Sequence, residues 1–474
     1  MQFDSLAFVV FFALVLAGYR LLGGWALRKN FLLGASYLFY AAWNPAFLLL
    51  LLASTTLDWW IAQRVYRAAD PVARKRWIGA TLLVNLCVLG YFKYAGFLLD
   101  NLTVGLAALG VDYRPPAPDI ILPIGISFYT FHSLSYCLDI YRGKFAPTRS
   151  WRDYALYVAF FPQLVAGPIV RWTEMREQIE TPRTISIGGL GLGFALLLLG
   201  LFEKIVLADS VFAPVADAVF NQAAGADVAG AWIGMIAFSG QIFCDFAGYS
   251  SCALGSALAL GFVLPINFRN PYAASSFADF WRRWHISLSR WLRDYLYVSL
   301  GGNRLGRWLT LRNLWLTMLI GGLWHGAAWN FIVWGGLHGA FLALERWPRD
   351  QPWLARLGQF RLARAGYALL TLLGVMLAWI WFRAHGVQDA WLLTGKLVEF
   401  EQWPGAWAAS GFEQRLALAV FGLLLLVHWR WRSGETRELL ARAPWWLLAP
   451  LLAMMLCLIV LSPGDNHAFL YFQF

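Results

Sequence analysis

The chain has 474 residues, of which 59% are hydrophobic and only 14% are charged. Soluble domains contain roughly 25% charged residues, so this composition excludes a large soluble domain and indicates a helical membrane protein. The formal net charge of +11 is attributed to cytoplasmic loops, and we expect no nucleic-acid partner. Residues 1–474 are predicted to form one integral-membrane domain.

Charge asymmetry between the loops predicts the topology. Basic loops at 64–76, 142–152 and 171–183 are placed in the cytoplasm, whereas the loops at 100–119 and 217–230 are placed outside. Later spans are predicted near 365–382, 416–429 and 445–461. The predicted fold class is an all-α polytopic membrane protein with about eleven or twelve transmembrane helices. Both termini then face the periplasm, and membrane lipid surrounds the chain.

The segment 153–170 has cytoplasmic loops at both of its ends. It also contains Pro162 and the pair Gly167-Pro168, which break helices. We therefore predict a re-entrant segment, which a membrane tolerates where protein or a water-filled cavity covers the backbone.

A different pattern occupies 277–300. Aromatic and leucine side chains recur there at helical spacing, and arginines lie on the opposite side of the helical projection, which predicts one interfacial helix. Such a helix could serve only as an anchor. Alternatively, three of its arginines could bind the phosphates of a cytoplasmic acyl donor, because guanidinium groups suit bidentate phosphate contacts: Arg282, Arg283 and Arg290.

A helical hairpin is predicted over the apolar run 313–345, because arginines flank both of its ends. Each arm has about 16 residues, or about 24 Å of helix, and the turn is expected near 327–330. This arrangement places Trp324 and His325 deep in the membrane. A titratable ring at that depth is costly and therefore a candidate functional residue, although a core histidine bonded to a neighbouring helix is the alternative. The glycine pairs Gly321-Gly322 and Gly335-Gly336 are expected to allow close helix packing.

Asp245 is a second titratable group inside an apolar segment. It could contact substrate, or it could pair with Lys204, Lys93 or a histidine, and structural pairing is the favoured interpretation. The five cysteines are scattered without paired spacing, so we expect neither a metal site nor disulfides.

Several sequence blocks carry a family resemblance. They are DFWRRWHISLSRWLRDYLYVSL at 279–300, GGNR at 301–304, GGLWHG at 321–326, LPIGISFYTF at 122–131, FPQLVAGPI at 161–169 and NFRNPY at 267–272. On these blocks the chain resembles the membrane-bound O-acyltransferase family, and most closely its bacterial branch that O-acetylates exported polysaccharides such as alginate. One departure follows the GYS of the segment 244–250, where Ser251-Cys252 stands in place of the branch's usual acidic residue, so that Asp245 lacks a second carboxylate.

The resemblance implies a function and assigns the site residues. The family's two histidines correspond to His285 and His325, and His325 matches the catalytic one. O-acyl transfer needs a base, which a neutral imidazole can supply, and an oxyanion donor, for which Asn330 or backbone N–H groups at the glycine-rich turn are candidates. Trp324 and Asp245 complete the expected substrate-binding set.

We expect acetyl-CoA as the donor, no bound cofactor, a bacterial inner-membrane location and a periplasmic polysaccharide acetyltransferase as partner. Two alternatives remain open at this point. One is D-alanyl transfer from a carrier protein to a cell-wall polymer, and the other is a proton-coupled transporter that uses Asp245 and the histidines.

Overall fold

The computed structural model describes residues 1–116, 118–346, 359–399, 410–462 and 469–470. Within these ranges the regular secondary structure is entirely helical. The helices are α1 (Leu6–Leu21), α2 (Trp25–Ala41), α3 (Pro45–Arg67), α4 (Pro71–Ala108), α5 (Ile126–Tyr141), α6 (Trp151–Ala159), α7 (Phe161–Leu164), α8 (Trp172–Glu180), α9 (Ile187–Phe220), α10 (Val228–Ala259), α11 (Phe277–Trp281), α12 (Ile286–Trp291), α13 (Arg307–His325), α14 (Trp329–Arg346), α15 (Arg361–Arg383), α16 (Val387–Lys396), α17 (Phe412–Arg430), α18 (Thr436–Arg442) and α19 (Trp445–Leu461). Short turns of 3-10 helix at Ala223–Gly225 and Pro271–Ala273 and a π-helical turn at Leu292–Tyr297 complete the set.

Six of the described helices, α3, α4, α9, α10, α15 and α17, are long and apolar enough to cross a membrane. The apolar helices α1 and α19 are shorter. α15, α17 and α19 coincide with the three late spans predicted from the sequence. The all-α polytopic architecture is thereby confirmed, and the chain is a multi-pass membrane protein.

The chain forms two compact units. Unit 1 comprises Met1–Gly193 and Ser256–Pro265, and unit 2 comprises Phe194–Gly255 and Ile266–Phe474. The boundaries therefore fall within α9 and near the end of α10. Both predicted catalytic histidines belong to unit 2.

In unit 1, the break predicted within 153–170 is confirmed. α6 ends at Ala159, and the four-residue α7 carries Pro162 in its first turn, where its missing N–H costs least. Gly167 follows α7 because a Cβ there would lie 2.4 Å from the Cα of Gln163. Residues 154–170 are buried throughout, so protein covers the irregular backbone, as a re-entrant segment requires.

In unit 2, the predicted hairpin over 313–345 is confirmed as α13 and α14. α13 ends at His325 and α14 begins at Trp329. Glycines bring the two backbones together, since a Cβ on Gly322 would lie 2.3 Å from the carbonyl oxygen of Phe331. The tight packing predicted for these glycines is found at Gly322 and Gly335. Gly336 has a Cβ position with only an ordinary contact, at 3.9 Å from the Trp315 ring.

The single helix predicted over 277–300 is wrong. α11 ends at Trp281 and α12 starts at Ile286, because His285 between them adopts the left-handed conformation with φ 41°. Side chains of the aromatic and leucine face predicted for 277–300 are nevertheless buried, since Trp284 and Leu288 are each 1% exposed. These two apolar side chains therefore pack within protein.

Candidate active site

The structure brings His285 and His325 together in unit 2, although 39 residues separate them in the sequence. Their ring centroids lie 6.4 Å apart. Both side chains are buried, with 0% of His285 and 4% of His325 exposed. The ring of Trp324 lies beside both of them, 6.3 Å from His285 and 4.9 Å from His325. Two buried imidazoles this close can serve one bound hydroxyl group, one as a base and the other as a hydrogen-bond partner.

The end of α13 fixes the position of His325. Gly326 follows it in an extended conformation and terminates the helix. A Cβ on Gly326 would lie 2.1 Å from the ring of Phe331, so glycine is the residue that allows the turn to pass this ring. His325 is then held against Trp334 and Phe382, at centroid distances of 5.0 and 5.5 Å. In the WHG sequence, the glycine therefore ends α13 directly after His325 and so sets the position of the imidazole.

The left-handed turn at His285 is supported by Asn267, a residue to which the sequence reasoning gave no individual role. The Asn267 carbonyl accepts a hydrogen bond from the Ile286 N–H at 2.9 Å. Its side chain donates to the Ser250 hydroxyl at 3.1 Å and accepts from the Ser287 hydroxyl at 2.6 Å. Asn267 is 1% exposed. In the sequence, this role is indicated by the position of Asn267 as the first residue of the NFRNPY block.

The surroundings of His285 are apolar. The ring of Phe246 packs edge-on against it at 4.6 Å. Burial lowers the pKa of His285 to about 3, because an apolar environment disfavours the charged ring. His285 is therefore neutral at physiological pH and can accept a hydrogen bond.

Asn330 lies in the first turn of α14 and is 4% exposed. Its side-chain amide donates a hydrogen bond to the Ala384 carbonyl at 2.9 Å. One of its two amide hydrogens is thus engaged. The contact also ties the start of α14 to the residue that follows α15.

Asp245 belongs to a buried ion cluster. Its carboxylate lies 2.7 Å from the Lys204 amine, which also contacts Asp209 at 2.8 Å. The second Asp245 oxygen accepts the backbone N–H of Leu470 at 3.0 Å. The predicted pairing with Lys204 is confirmed, and residues 469–470 contact α10 near Phe246.

The arginines of 282–293 are not equivalent. The side chain of Arg282 is 68% exposed, whereas that of Arg283 is only 14% exposed. Arg283 forms an ion pair with Asp279 at 3.0 Å and donates to the Arg432 carbonyl at 2.6 Å. The prediction that Arg283 projects from an exposed face is therefore wrong, because the broken helix turns it inward. Arg290 is half-buried in α12.

Asp279 is the shared partner of Arg283 and Arg432 in this basic region, and the sequence analysis gave it no role. Its carboxylate accepts the Ser275 N–H at 3.1 Å and a guanidinium N–H of Arg432 at 3.1 Å. Burial by itself would raise the pKa of Asp279, but the Ser275 hydrogen bond and the Arg283 and Arg432 guanidinium groups hold it below its usual range. Asp279 therefore stays ionised and fixes α11.

No group of three metal-ligating side chains occurs among the described residues. A cavity of about 1480 Å³ exists elsewhere in unit 2, and neither His285 nor His325 is among its described lining residues.

Comparisons with known proteins place the chain in a family. The model of the membrane-bound O-acyltransferase (MBOAT) family matches residues 145–361, which include both histidines. A probable alginate O-acetylase, AlgI, of Azotobacter vinelandii is 43% identical over 85% of this chain and 79% of its own length. The protein of that name from Pseudomonas putida is 38% identical over the full length of both chains. A peptidoglycan O-acetyltransferase of Helicobacter pylori is 36% identical over 76% of this chain and 72% of its own length. The chain belongs to the membrane-bound O-acyltransferase family.

Proposed function

We propose that this O-acyltransferase moves an acetyl group from cytoplasmic acetyl-CoA across the membrane for the O-acetylation of an exported polysaccharide such as alginate. The observation that carries the proposal is the placement of His285 and His325 within 6.4 Å of each other in a buried aromatic environment. The named acetylases among the relatives support acetyl as the group transferred.

His325 is the general base in this proposal. It takes the proton of the acceptor hydroxyl as the oxygen attacks the acetyl carbonyl carbon, and the proton later goes to the leaving thiolate of coenzyme A. His285 is neutral and assists by hydrogen bonding to the reacting groups. The developing oxyanion is stabilised by the side-chain amide of Asn330 or by backbone N–H groups of the turn 326–328.

In this proposal, the exposed Arg282 and the half-buried Arg290 bind the phosphates of acetyl-CoA. Arg283 acts as a positioning residue through Asp279. On this proposal, Arg282→Gln raises the KM for acetyl-CoA while kcat changes little, because the arginine binds ground state and transition state alike. Arg437→Gln, on the exposed surface of α18, is the matched control.

Transfer of radiolabelled acetyl from acetyl-CoA tests the proposal, with the purified chain in proteoliposomes and a soluble polysaccharide acceptor. His325→Ala is expected to slow transfer about 10²–10⁴-fold, the usual contribution of a general base. His385→Gln is the control, since His385 is exposed and contacts only the Asn221 side chain among the described residues, at 3.0 Å. Full activity of His325→Ala would exclude His325 as the base. If the chain transferred D-alanyl groups and no acetyl groups, acetyl-CoA would be excluded as the donor.

The location in the bacterial inner membrane, with both termini in the periplasm, is part of the same proposal. So is relay of the acetyl group through a periplasmic acetyltransferase partner. Reconstitution with and without a periplasmic extract separates direct transfer from relay. Product formed by the chain alone would remove the need for a partner.

A further inference from the structure

The cavity in unit 2 has a composition unlike that of the histidine site. Its walls are mostly apolar and come in large part from α14 and α15. Its volume of about 1480 Å³ exceeds the roughly 300–1,000 Å³ of ordinary small-molecule pockets. An occupant that matches this size and lining is large and mainly hydrophobic.

Charge and apolar surface are separated along α15. Arg361 and Arg364 line the cavity at the start of this helix, whereas Leu370, Leu373 and Leu377 line it further along. Arg361 and Leu377 are 16 positions apart in the sequence, which corresponds to about 24 Å of helix. α15 is one of the described helices long and apolar enough to cross the membrane. In a helix that does so, the arginine end would lie at headgroup depth and the leucines in the hydrocarbon region.

The two arginines are available to an anion. Both are exposed, and neither forms an ion pair with a residue that the structure describes. One carboxylate, that of Glu345, also lines the cavity, but it accepts the backbone N–H of Ala278 at 3.0 Å. The third lining arginine, Arg432, is bound to Asp279. Positive charge therefore predominates at the polar rim.

Aromatic rings form part of the apolar wall. Phe277 and Phe341 stack with their centroids 4.5 Å apart, and both line the cavity. Gly374 faces them, since a Cβ at that position would lie 2.9 Å from the ring of Phe277. Phe277 is also the first residue of α11, the helix that Asp279 fixes. An occupant of the cavity would thus support the segment that leads to His285.

We propose that this cavity binds one anionic phospholipid, with its phosphate on Arg361 and Arg364 and its acyl chains along Leu370, Leu373 and Leu377. Guanidinium groups recognise phosphate oxygens in a bidentate manner, and the apolar wall suits acyl chains rather than a soluble phosphate ester. The site is separate from the proposed acetyl transfer.

Photolabelling of the full chain in lipid nanodiscs tests the proposal. The probe is phosphatidylglycerol with a diazirine near the end of one acyl chain, and phosphatidylcholine with the same chains is the comparison. The expected result is preferential labelling by phosphatidylglycerol on the segments around Leu370–Leu377 and Phe341, mapped by peptide mass spectrometry. Equal labelling by the two lipids would overturn the proposal.

Two variants test the two ends of the site independently. Arg361→Gln/Arg364→Gln should raise the mole fraction of phosphatidylglycerol needed for half-maximal labelling by roughly fivefold per arginine removed, while Arg437→Gln/Arg442→Gln on exposed α18 should not. Leu370→Trp should reduce labelling, because the larger side chain fills the part of the cavity proposed to hold the acyl chains. Leu369→Trp is its matched control, because Leu369 and Leu370 are 57% and 56% exposed and only Leu370 lines the cavity.

Unchanged labelling in both test variants would exclude the site. Displacement of the label by coenzyme A would also overturn the proposal, because the cavity would then hold the acyl donor. Displacement by glycerol phosphate would show that the acyl chains are not recognised. None of these readouts requires acetyl transfer, so failure here is distinguishable from failure of the proposed function.

Discussion

Replacing Gly335 with alanine should force apart the hairpin that carries His325. A Cβ on Gly335 would lie 2.4 Å from the Met318 carbonyl oxygen and 3.1 Å from the Cα of Gly322. Both are backbone atoms, so no change of rotamer relieves the overlap and the two helices must separate. Overpacking of this kind costs about 1–3 kcal/mol, although alanine's higher helix propensity offsets up to roughly 1 kcal/mol.

Gly336 provides the matched control. A Cβ there meets only the Trp315 ring, at 3.9 Å, so Gly336→Ala gains the same helix propensity without the overlap. Thermal unfolding of both variants in one detergent should show Gly335→Ala less stable by about 1–3 kcal/mol. Acetyl transfer should also slow, because His325 and Trp334, with ring centroids 5.0 Å apart, lie on the two separated helices. Equal stability of the two variants would refute this account of the hairpin.

Three further predictions concern buried polar groups. His285→Asn should preserve the left-handed turn, since asparagine tolerates that conformation. Between pH 7.5 and pH 5 the unmodified chain should lose about 2 kcal/mol more stability than His285→Asn. The unfolded His285 ring gains a proton below its ordinary pKa of about 6.5, whereas burial lowers the folded pKa to about 3, so stability is lost as pH falls through this window. Thermal unfolding at the two pH values checks this, and identical pH slopes would contradict it. Lys204→Met should cost about 3–5 kcal/mol, because it removes the positive charge that two buried carboxylates share. Adding Asp245→Asn should recover part of that loss, and strictly additive melting shifts would argue against an ion cluster. Asp279→Asn should destabilise α11 by about 1–3 kcal/mol and increase its protease sensitivity. Arg282→Gln, on a side chain that is 68% exposed, should change stability by less than about 0.5 kcal/mol.

The long apolar helices and the hairpin could be predicted from the sequence because hydrophobic length and flanking charge are local signals. The break at His285 could not. A left-handed non-glycine residue has no periodic signature, and the aromatic spacing of 277–300 continues across it without interruption. The turn depends on Asn267, which lies 18 residues earlier in the chain.

The proximity of His285 and His325 was implied by the family resemblance and not by spacing, since it depends on tertiary packing. The pairing of Asp245 with Lys204 was one of several open alternatives for the same reason. The fixing role of Asp279 was missed because the residue was counted within a helix face. Besides the nearby Arg283, its partners are Ser275 in the preceding loop and Arg432, far along the sequence.

The break at His285 determines how a change of length in α11 would affect the orientation of the residues that follow. Along an unbroken α-helix, inserting one residue rotates everything beyond it by about 100°. Here α11 is fixed by contacts of Asp279, and α12 is fixed separately through Asn267. An added or deleted residue in α11 is therefore expected to disturb the arginine region more than the azimuth of the imidazole, which the Asn267 contacts hold.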